Sequence, residues 1–320
     1  MKCRRLLLSL ACVLVAQVAH AAWPDRPITM VVPYAPGGSA DVLARVMAPE
    51  MASVLGQSVV VELRPGAGGN IGAAHVAQSA RADGYTFLLG SVSLATGPAL
   101  STLTFDPLHD LVPMGGIGAV PNLAVVSVAS PFHSMADLLA AARARPGTVS
   151  YGSSGLGTGS HLAGELLAAT AGVELLHVPY RGSGAVYPDL MAQRISLLLD
   201  GMGSAIGQVQ SGAVRAIGIS ATARSDILPD VPTIAEQGVP GYAFSLWLGY
   251  FVRSGTPPEV LAKLEAAHRH ALHAPQVQDR LRQAAAQPIP EDAAGFARYF
   301  QANAALWADL VRRGKVQRID

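Results

Sequence analysis

Residues 28–56 read ITMVVPYAPGGSADVLARVMAPEMASVLG, and three kinds of segment follow one another in this stretch. The apolar run at residues 28–32 predicts a buried strand. Pro36-Gly37-Gly38-Ser39 is typical of a loop, and the spacing of apolar residues over 41–55 predicts a helix. The order strand, glycine loop, helix is that of a βαβ unit.

The same order recurs along the chain, which predicts an α/β fold with a mostly parallel sheet. Further strands are predicted at residues 59–63, 85–89, 123–128, 149–151, 176–178, 196–199, 214–220 and 244–252. Further helices are predicted at residues 71–80, 134–145, 161–171, 185–193, 258–271, 275–285 and 292–312.

These elements group into two α/β units and a mostly helical tail. The tail has too few strands for a third domain, so we expect it to return and cover the first unit. The expected lobes are residues 22–118 with 243–320, and residues 119–242. The chain then crosses twice between lobes, near residues 115–122 and 222–250, and leaves a cleft between them.

The composition excludes several classes of protein. Half of the 320 residues are apolar and 14% are charged, which is unlike a disordered chain or a coiled coil. The formal net charge is +1 and aromatic residues make up 6% of the chain. Nucleic acid is therefore not an expected partner, because it is bound through basic patches and stacking rings.

The first 21 residues have the pattern of an export signal. Basic residues at positions 2, 4 and 5 precede an apolar run at 6–18, which is short for a membrane span. Ala19-His20-Ala21 is a cleavage pattern, so we expect a periplasmic protein cleaved near Ala21. A buried core segment is the alternative for this stretch.

Both cysteines, Cys3 and Cys12, lie in that segment. The mature chain would therefore have no thiol nucleophile, Cys-ligated metal or disulfide. Lipidation of Cys12 is a weaker alternative to simple cleavage, since the apolar run continues past this residue.

Two glycine-rich loops are the candidate binding elements: residues 37–39, and the longer YGSSGLGTGSH at residues 151–161. Loops at the carboxyl ends of parallel strands bind ligands, and free N–H groups at a helix start favour an anion. Neither loop contains Lys or Arg, so a carboxylate fits better than a triphosphate. For the first loop the alternative is an ordinary turn in which Ser39 or Asp41 caps the helix.

The longer loop does not match the common catalytic or phosphate-binding motifs. Ser160 replaces the last glycine of G-x-G-x-x-G, and Leu156 replaces the last glycine of G-x-S-x-G. His161 and Glu165 share a helix face, but a metal needs more ligands, so we expect a structural pair and no metal site.

Three further residues each have two interpretations. Arg181 could clamp a carboxylate or be a solvated arginine. Asp200 could accept a hydrogen bond from a ligand, or cap the next helix. Trp247 could line the cleft, although a core position is favoured.

Several motifs, taken together, resemble those of the Bug family, the periplasmic solute receptors of tripartite tricarboxylate transporters. They follow in order over essentially the whole mature chain: VPYAPGGSAD at 32–41, RPGAGGNIG at 64–72, DGYT at 83–86, YGSSG at 151–155, HLAGE at 161–165, HVPYRG at 177–182, LPDVPT at 228–233 and GVPGY at 238–242.

The resemblance implies a two-lobed periplasmic-binding-protein fold, similar to type II, with a small carboxylate in the cleft between the lobes. In the family the ligand carboxylate is held largely by backbone amides and small hydroxyls of the two glycine loops. No catalytic residue or cofactor is implied. The implied ligand-binding residues are Tyr34, Pro36, Gly37, Gly38, Ser39, Asp41, Gly69, Asn70, Ser91, Ser93, Ser153, Ser154, Thr158, Ser160, His161, Tyr180, Arg181, Gly182 and Asp200.

The implied function is a non-enzymatic receptor that captures a di- or tricarboxylate, an amino acid or an aromatic acid for the membrane permease subunits of such a transporter. An exported hydrolase with a loop serine is the alternative from another class, although no nucleophile elbow is present. A ligand sensor for a membrane kinase is a third hypothesis, because it would begin with the same closure of two lobes.

Overall fold

The computed structural model describes residues 23–314 and 316–318, so the predicted export signal lies outside the described residues. The strands are β1 (Ile28–Val32), β2 (Val59–Leu63), β3 (Thr86–Ser91), β4 (Leu111–Ser127), β5 (Ser150–Ser153), β6 (Leu176–Pro179), β7 (Leu197–Gly201), β8 (Val214–Ile219) and β9 (Ser245–Arg253). The α-helices are α1 (Ser39–Leu55), α2 (Asn70–Ala74), α3 (Val92–Leu100), α4 (Met135–Ala144), α5 (Gly159–Ala171), α6 (Tyr187–Met191), α7 (Met202–Gln210), α8 (Pro258–Leu272), α9 (Pro275–Gln283) and α10 (Ala293–Arg312).

The strands form one curled sheet in the order β2-β1-β3-β9-β4-β7-β5-β6, with β8 paired to β4. Strands β1, β2 and β3 are parallel, and so are β5, β6 and β7, as the βαβ pattern predicts. The carboxyl ends of each parallel group therefore lie at one edge of the sheet.

Strand β4 belongs to both halves of the sheet. Residues 111–121 pair with β9, and residues 122–127 pair with β7 and β8. The prediction of a separate strand at 123–128 is therefore wrong, because this segment is the second half of a 17-residue strand. Prolines in this segment argue against a continuous strand. Pro113, however, lies in a register shift of the pairing with β9, where a missing N–H is tolerated.

Helix α3 has no counterpart among the predicted elements. It contains Gly97 and Pro98, and seven of its nine residues are buried, so it lacks an amphipathic pattern. Two predicted helices are also shorter or less regular. Residues 71–80 form α2 and a π-helical turn at His75–Ser79, and residues 185–193 contain only the short helix α6.

The helical tail packs on the first half of the sheet, as expected. Helix α8 lies against α1, and α10 lies against α3 and β4. Trp247 is fully buried and packs edge-on against Phe296 and Phe300 of α10, so the core position is confirmed.

The N-termini of two helices bear out simple sequence rules. Ser134 and Asp137 form a capping box at α4, and Pro258 occupies the first turn of α8.

Within the described residues, no helix combines the length and apolarity that a membrane crossing requires.

Candidate functional site

The predicted binding residues of the first half follow the carboxyl ends of β1, β2 and β3. Tyr34 connects the segments after β1 and β3, because its hydroxyl donates to Ser91 Oγ at 2.6 Å and lies 3.2 Å from Ser93 Oγ. Gly69 has φ +104°, and a Cβ there would lie 3.1 Å from the Tyr34 ring. Close packing of these loops thus requires glycine at this position.

The loop at residues 37–39 begins α1 without a side-chain cap. The N-cap residue is Gly38, so the alternative in which Ser39 or Asp41 is the N-cap residue is wrong. Asp41 lies in the first turn, where Oδ2 accepts from Gly37 N at 2.9 Å and Oδ1 lies 2.8 Å from Arg45 Nε. Asp41 therefore shapes the loop and neutralises Arg45.

Several donors of the loop at residues 154–160 bond within the loop itself. Ser154 N donates to Ser160 Oγ at 2.9 Å, and Thr158 Oγ1 donates to Gly155 O at 2.6 Å. Gly157 N donates to His161 Nδ1 at 3.1 Å. These contacts fix the loop, and its hydroxyls are less free for a ligand than sequence alone suggests.

A buried aromatic stack supports this loop from behind. The ring of His161 lies 4.1 Å from that of His177, which in turn lies 4.8 Å from the ring of Tyr151. Tyr151 OH donates to Glu165 Oε1 at 2.7 Å. Burial lowers the pKa of both His161 and His177 to about 4, so both rings are neutral near pH 7.

The pair predicted from the i, i+4 spacing is loose. His161 Nε2 and Glu165 Oε1 are 3.9 Å apart, and Glu165 bonds instead to Tyr151. Among residues 23–314 and 316–318, no group of three or more His, Cys, Asp or Glu side chains is placed to hold a metal ion.

Asp200 is buried at the end of β7 and accepts hydrogen bonds from four donors of its own chain. Oδ1 accepts from Ser183 Oγ at 2.7 Å and from Gly201 N at 3.0 Å. Oδ2 accepts from Tyr187 OH at 2.9 Å and from Ser204 Oγ at 2.8 Å. Both oxygens are thus engaged, and the N-cap of α7 is Gly201 rather than Asp200.

The segment after β6 presents an exposed cation. Tyr180 OH donates to Asp189 Oδ2 at 2.7 Å, and Gly182 N donates to Ser154 O at 3.2 Å, which ties this segment to the neighbouring loop. Arg181 is exposed, and within the described part of the chain it has no hydrogen-bond or ion-pair partner. Arg181 is therefore solvated in this structure, and its role as a carboxylate clamp stays a prediction.

Three helices begin at these strand ends without a side-chain cap: α1 after β1, α3 after β3 and α5 after β5. Among the α-helices of the described residues, only α4 and α10 have an N-cap side chain, Ser134 and Asp292, so position at a strand end rather than the absent cap distinguishes these three helices. Unsatisfied N–H groups and the positive end of the helix dipole make an uncapped N-terminus an anion site. An anion at these helix ends would therefore be bound by backbone N–H groups and helix dipoles, without requiring a Lys or Arg side chain.

The two halves of the site touch across the cleft. A Cβ at Gly68 would lie 3.3 Å from the carbonyl oxygen of Leu156, so the segment after β2 meets the loop after β5. Beside this contact is a cavity of about 420 Å³ whose walls include the predicted residues Asn70 and Ser93. Most of its other walls come from residues 96–105, which sequence reasoning missed together with α3.

The comparisons with known proteins agree with this architecture. Residues 43–315 match the family model described as "Tripartite tricarboxylate transporter family receptor". The chain is 37% identical over 303 residues to protein BugT of Bordetella pertussis, covering 93% of this chain and 92% of that one.

The chain belongs to the tripartite tricarboxylate transporter receptor family.

Two solved structures of similar proteins contain carboxylates. A protein of R. palustris with adipate is 35% identical, with a TM-score of 0.84, and covers 93% of this chain and 100% of that one. MatC from Rhodopseudomonas palustris with bound malate is 31% identical, with a TM-score of 0.83, and covers 90% of this chain and 100% of that one. The resemblance to the Bug family and the periplasmic-binding-protein fold are thereby confirmed.

The hydrolase hypothesis is not favoured in a receptor of this family, although one serine does contact a histidine. Ser153 Oγ lies 2.6 Å from His177 Nε2. However, Ser153 is fully buried, and its hydroxyl is also 3.2 Å from both N and O of Gly155. This contact fixes the loop and presents no nucleophile to the cleft.

Proposed function

We propose that this receptor binds a small carboxylate reversibly in the cleft, leaves it chemically unchanged and delivers it to the membrane permease of a tripartite tricarboxylate-type transporter. One observation carries the proposal: helices of both halves of the sheet begin at the carboxyl ends of parallel strands, and the segment after β2 contacts the loop after β5. Such ends bind an anion through backbone N–H groups.

The ligand of similar receptors supports the anion class. Carboxylates are bound in the solved relatives with adipate and malate. His161 and His177 behind the second loop are neutral near pH 7, and both oxygens of Asp200 are engaged, so none of these three described groups is set up to exchange a proton with the ligand. Reversible binding of the ligand is therefore favoured over catalysis at this site.

The lobes of this proposal are residues 22–118 with 243–320, and residues 119–242. They would move about the paired strands β4 and β9, near the register Val120 to Leu246. Cleavage near Ala21 and release into the periplasm belong to the same proposal, since the family comprises periplasmic receptors. A sensor kinase as the partner would use the same lobe closure.

A thermal-shift screen of the mature protein tests the proposal. Mono-, di- and tricarboxylates and amino acids are added one at a time, with their uncharged amides as controls. An acid at about 100 times its dissociation constant should raise the free energy of unfolding by about 2.7 kcal/mol. Failure of every carboxylate to stabilise the folded protein would contradict the proposed function.

A further inference from the structure

A cavity of about 420 Å³ lies beside the cleft and has walls from both halves of the molecule. Helices α2 and α3 and residues 101–105 form one side, and Leu156 and Gly157 form the other. This volume lies in the range of small-ligand pockets. It is continuous with the proposed site because Asn70 and Ser93 are among its walls.

One face of α3 runs the length of this cavity. Its lining residues Ser93, Thr96, Gly97 and Leu100 have the i, i+3, i+4, i+7 spacing of a single helical stripe. The stripe starts with a hydroxyl next to Tyr34 OH and ends at a buried leucine. At 1.5 Å per residue it is about 10 Å long, which exceeds the length of an extended six-carbon chain, so such a chain fits along it.

Six apolar side chains form much of the cavity wall: Ile71, Ala74, Leu100, Leu103, Phe105 and Leu156. The segment that carries Leu100, Leu103 and Phe105 also contributes the hydroxyls of Ser101, Thr102 and Thr104. Two of these side chains are unusually open for their type, since Ile71 is 57% exposed and Leu156 is 53% exposed. An apolar group bound between them would remove this surface from water, which stabilises the complex.

The polar groups of the cavity carry no charge. They are side chains of Asn, Ser and Thr, and the lining includes no Asp, Glu, Lys, Arg or His. Asn70 Oδ1 is buried without a hydrogen-bond partner, and a Cβ at Gly97 would lie 3.7 Å from it and 3.1 Å from Leu103 Cδ1. Arg318 Nη2 donates to Thr102 Oγ1, but Arg318 itself is not part of the lining. A second carboxylate placed among the apolar walls would be desolvated with no cation in the lining itself.

We propose that the ligand of this receptor is a monocarboxylate with an uncharged, apolar body, which lies along α3 in the cavity. This inference rests on the proposed function, because it assumes that the carboxylate is held at the uncapped helix ends beside Ser93. The apolar walls then select the rest of the molecule.

Hexanoate and adipate form a matched pair for the test. Both have six carbons, and adipate carries a second carboxylate where hexanoate has a methyl group. Calorimetry on the mature protein should show hexanoate binding at least tenfold more tightly than adipate. From butyrate to hexanoate, each added methylene should tighten binding about fourfold, with an increasingly negative heat-capacity change.

A variant that fills the cavity tests whether the alkyl chain of the ligand binds there. Ala74→Leu should weaken hexanoate at least tenfold and leave butyrate within threefold. Ala141→Leu is the matched control, because Ala141 lines a separate cavity of about 280 Å³ away from the cleft. This control should bind both acids like the unmodified protein.

The outcomes separate the two proposals. If adipate binds as tightly as hexanoate, the inference is wrong but the proposed function as a carboxylate receptor is not contradicted. If Arg318→Ala then loses that adipate binding, the second carboxylate is bound by Arg318. Equal weakening of butyrate and hexanoate in Ala74→Leu would overturn it as well. If no acid binds the unmodified protein, both proposals fail.

Discussion

At the scale of single residues, the stacked rings of His161 and His177 make stability depend on pH. Burial holds the pKa of each at about 4 in the folded protein, against about 6.5 in an unfolded chain. Above pH 6.5 both states are neutral, whereas between pH 6.5 and 4 the unfolded chain binds more protons. The free energy of unfolding should therefore fall as the pH falls through this window.

His161→Gln tests this account of the stack. Denaturant unfolding of the variant between pH 7.5 and 4.5 should have a shallower pH slope, lower by up to one proton, than that of the unmodified protein. Taking the difference cancels other groups in the same window, such as His268, whose pKa burial also lowers to about 4. Parallel slopes would show that His161 has the same pKa in the folded and unfolded states, which would contradict this account.

Gly38 is the residue at which a side chain should interfere most directly with the ligand. Its backbone angles suit any residue, and an added Cβ would lie 3.5 Å from Ala35 O, which is ordinary contact. Gly38→Val should therefore fold, yet weaken binding by more than Ser39→Ala, whose lost neutral hydrogen bond costs on the order of 1 kcal/mol. Calorimetry on both variants measures which substitution weakens ligand binding more. Normal binding by Gly38→Val with complete loss in Arg181→Ala would instead identify a charged clamp.

At the scale of elements, the absent cap of α1 should serve binding rather than stability. Gly38→Asp places a capping carboxylate at the N-cap position, which should maintain or raise stability while expelling the ligand anion. Gly38→Asn caps without charge and is the matched control. We expect a thermal midpoint at least as high in both variants, and at least tenfold weaker carboxylate binding in Gly38→Asp than in Gly38→Asn. Equal binding by the two would contradict an anion site at this helix end.

Most helices and strands could be predicted from sequence because each has a local signal. Helix α10 was expected at 292–312 and is observed at Ala293–Arg312, since Asp292 and the amphipathic spacing mark it. The first half of strand β4 and helix α3 could not be predicted, because long-range sheet pairing and burial override their prolines and glycines.

The site was predictable only in outline, for a related reason. Glycine loops after strands indicate where a ligand binds, but the partners of individual donors depend on folding. Ser183 bonds to Asp200, and His177 stacks on His161, although these residues are separated along the chain. The cavity walls at 96–105 could not be predicted, because Gly97 and Pro98 obscure the end of α3 and residues 101–105 follow it without a helix or strand.

At the scale of the whole molecule, two strands connect the halves of the sheet, and closure should take place about them. Ala119 pairs with Trp247 and Pro121 with Ser245 at the point where β4 passes from one half to the other. Small-angle scattering should show a smaller radius of gyration with a tight ligand than without it. The corresponding amide, which should not bind, is the control. An unchanged radius at saturation would indicate a site that is already closed.

The central claim is that the site recognises an anionic carboxylate and leaves it intact. The most direct measurement is calorimetry of the mature protein with the tightest acid of the screen, its primary amide and its methyl ester, followed by NMR of the recovered compounds. We predict one reversible site per chain for the acid, at least hundredfold weaker binding of the amide, and an ester recovered without hydrolysis. Equal affinity for acid and amide, or turnover of the ester, would contradict the account.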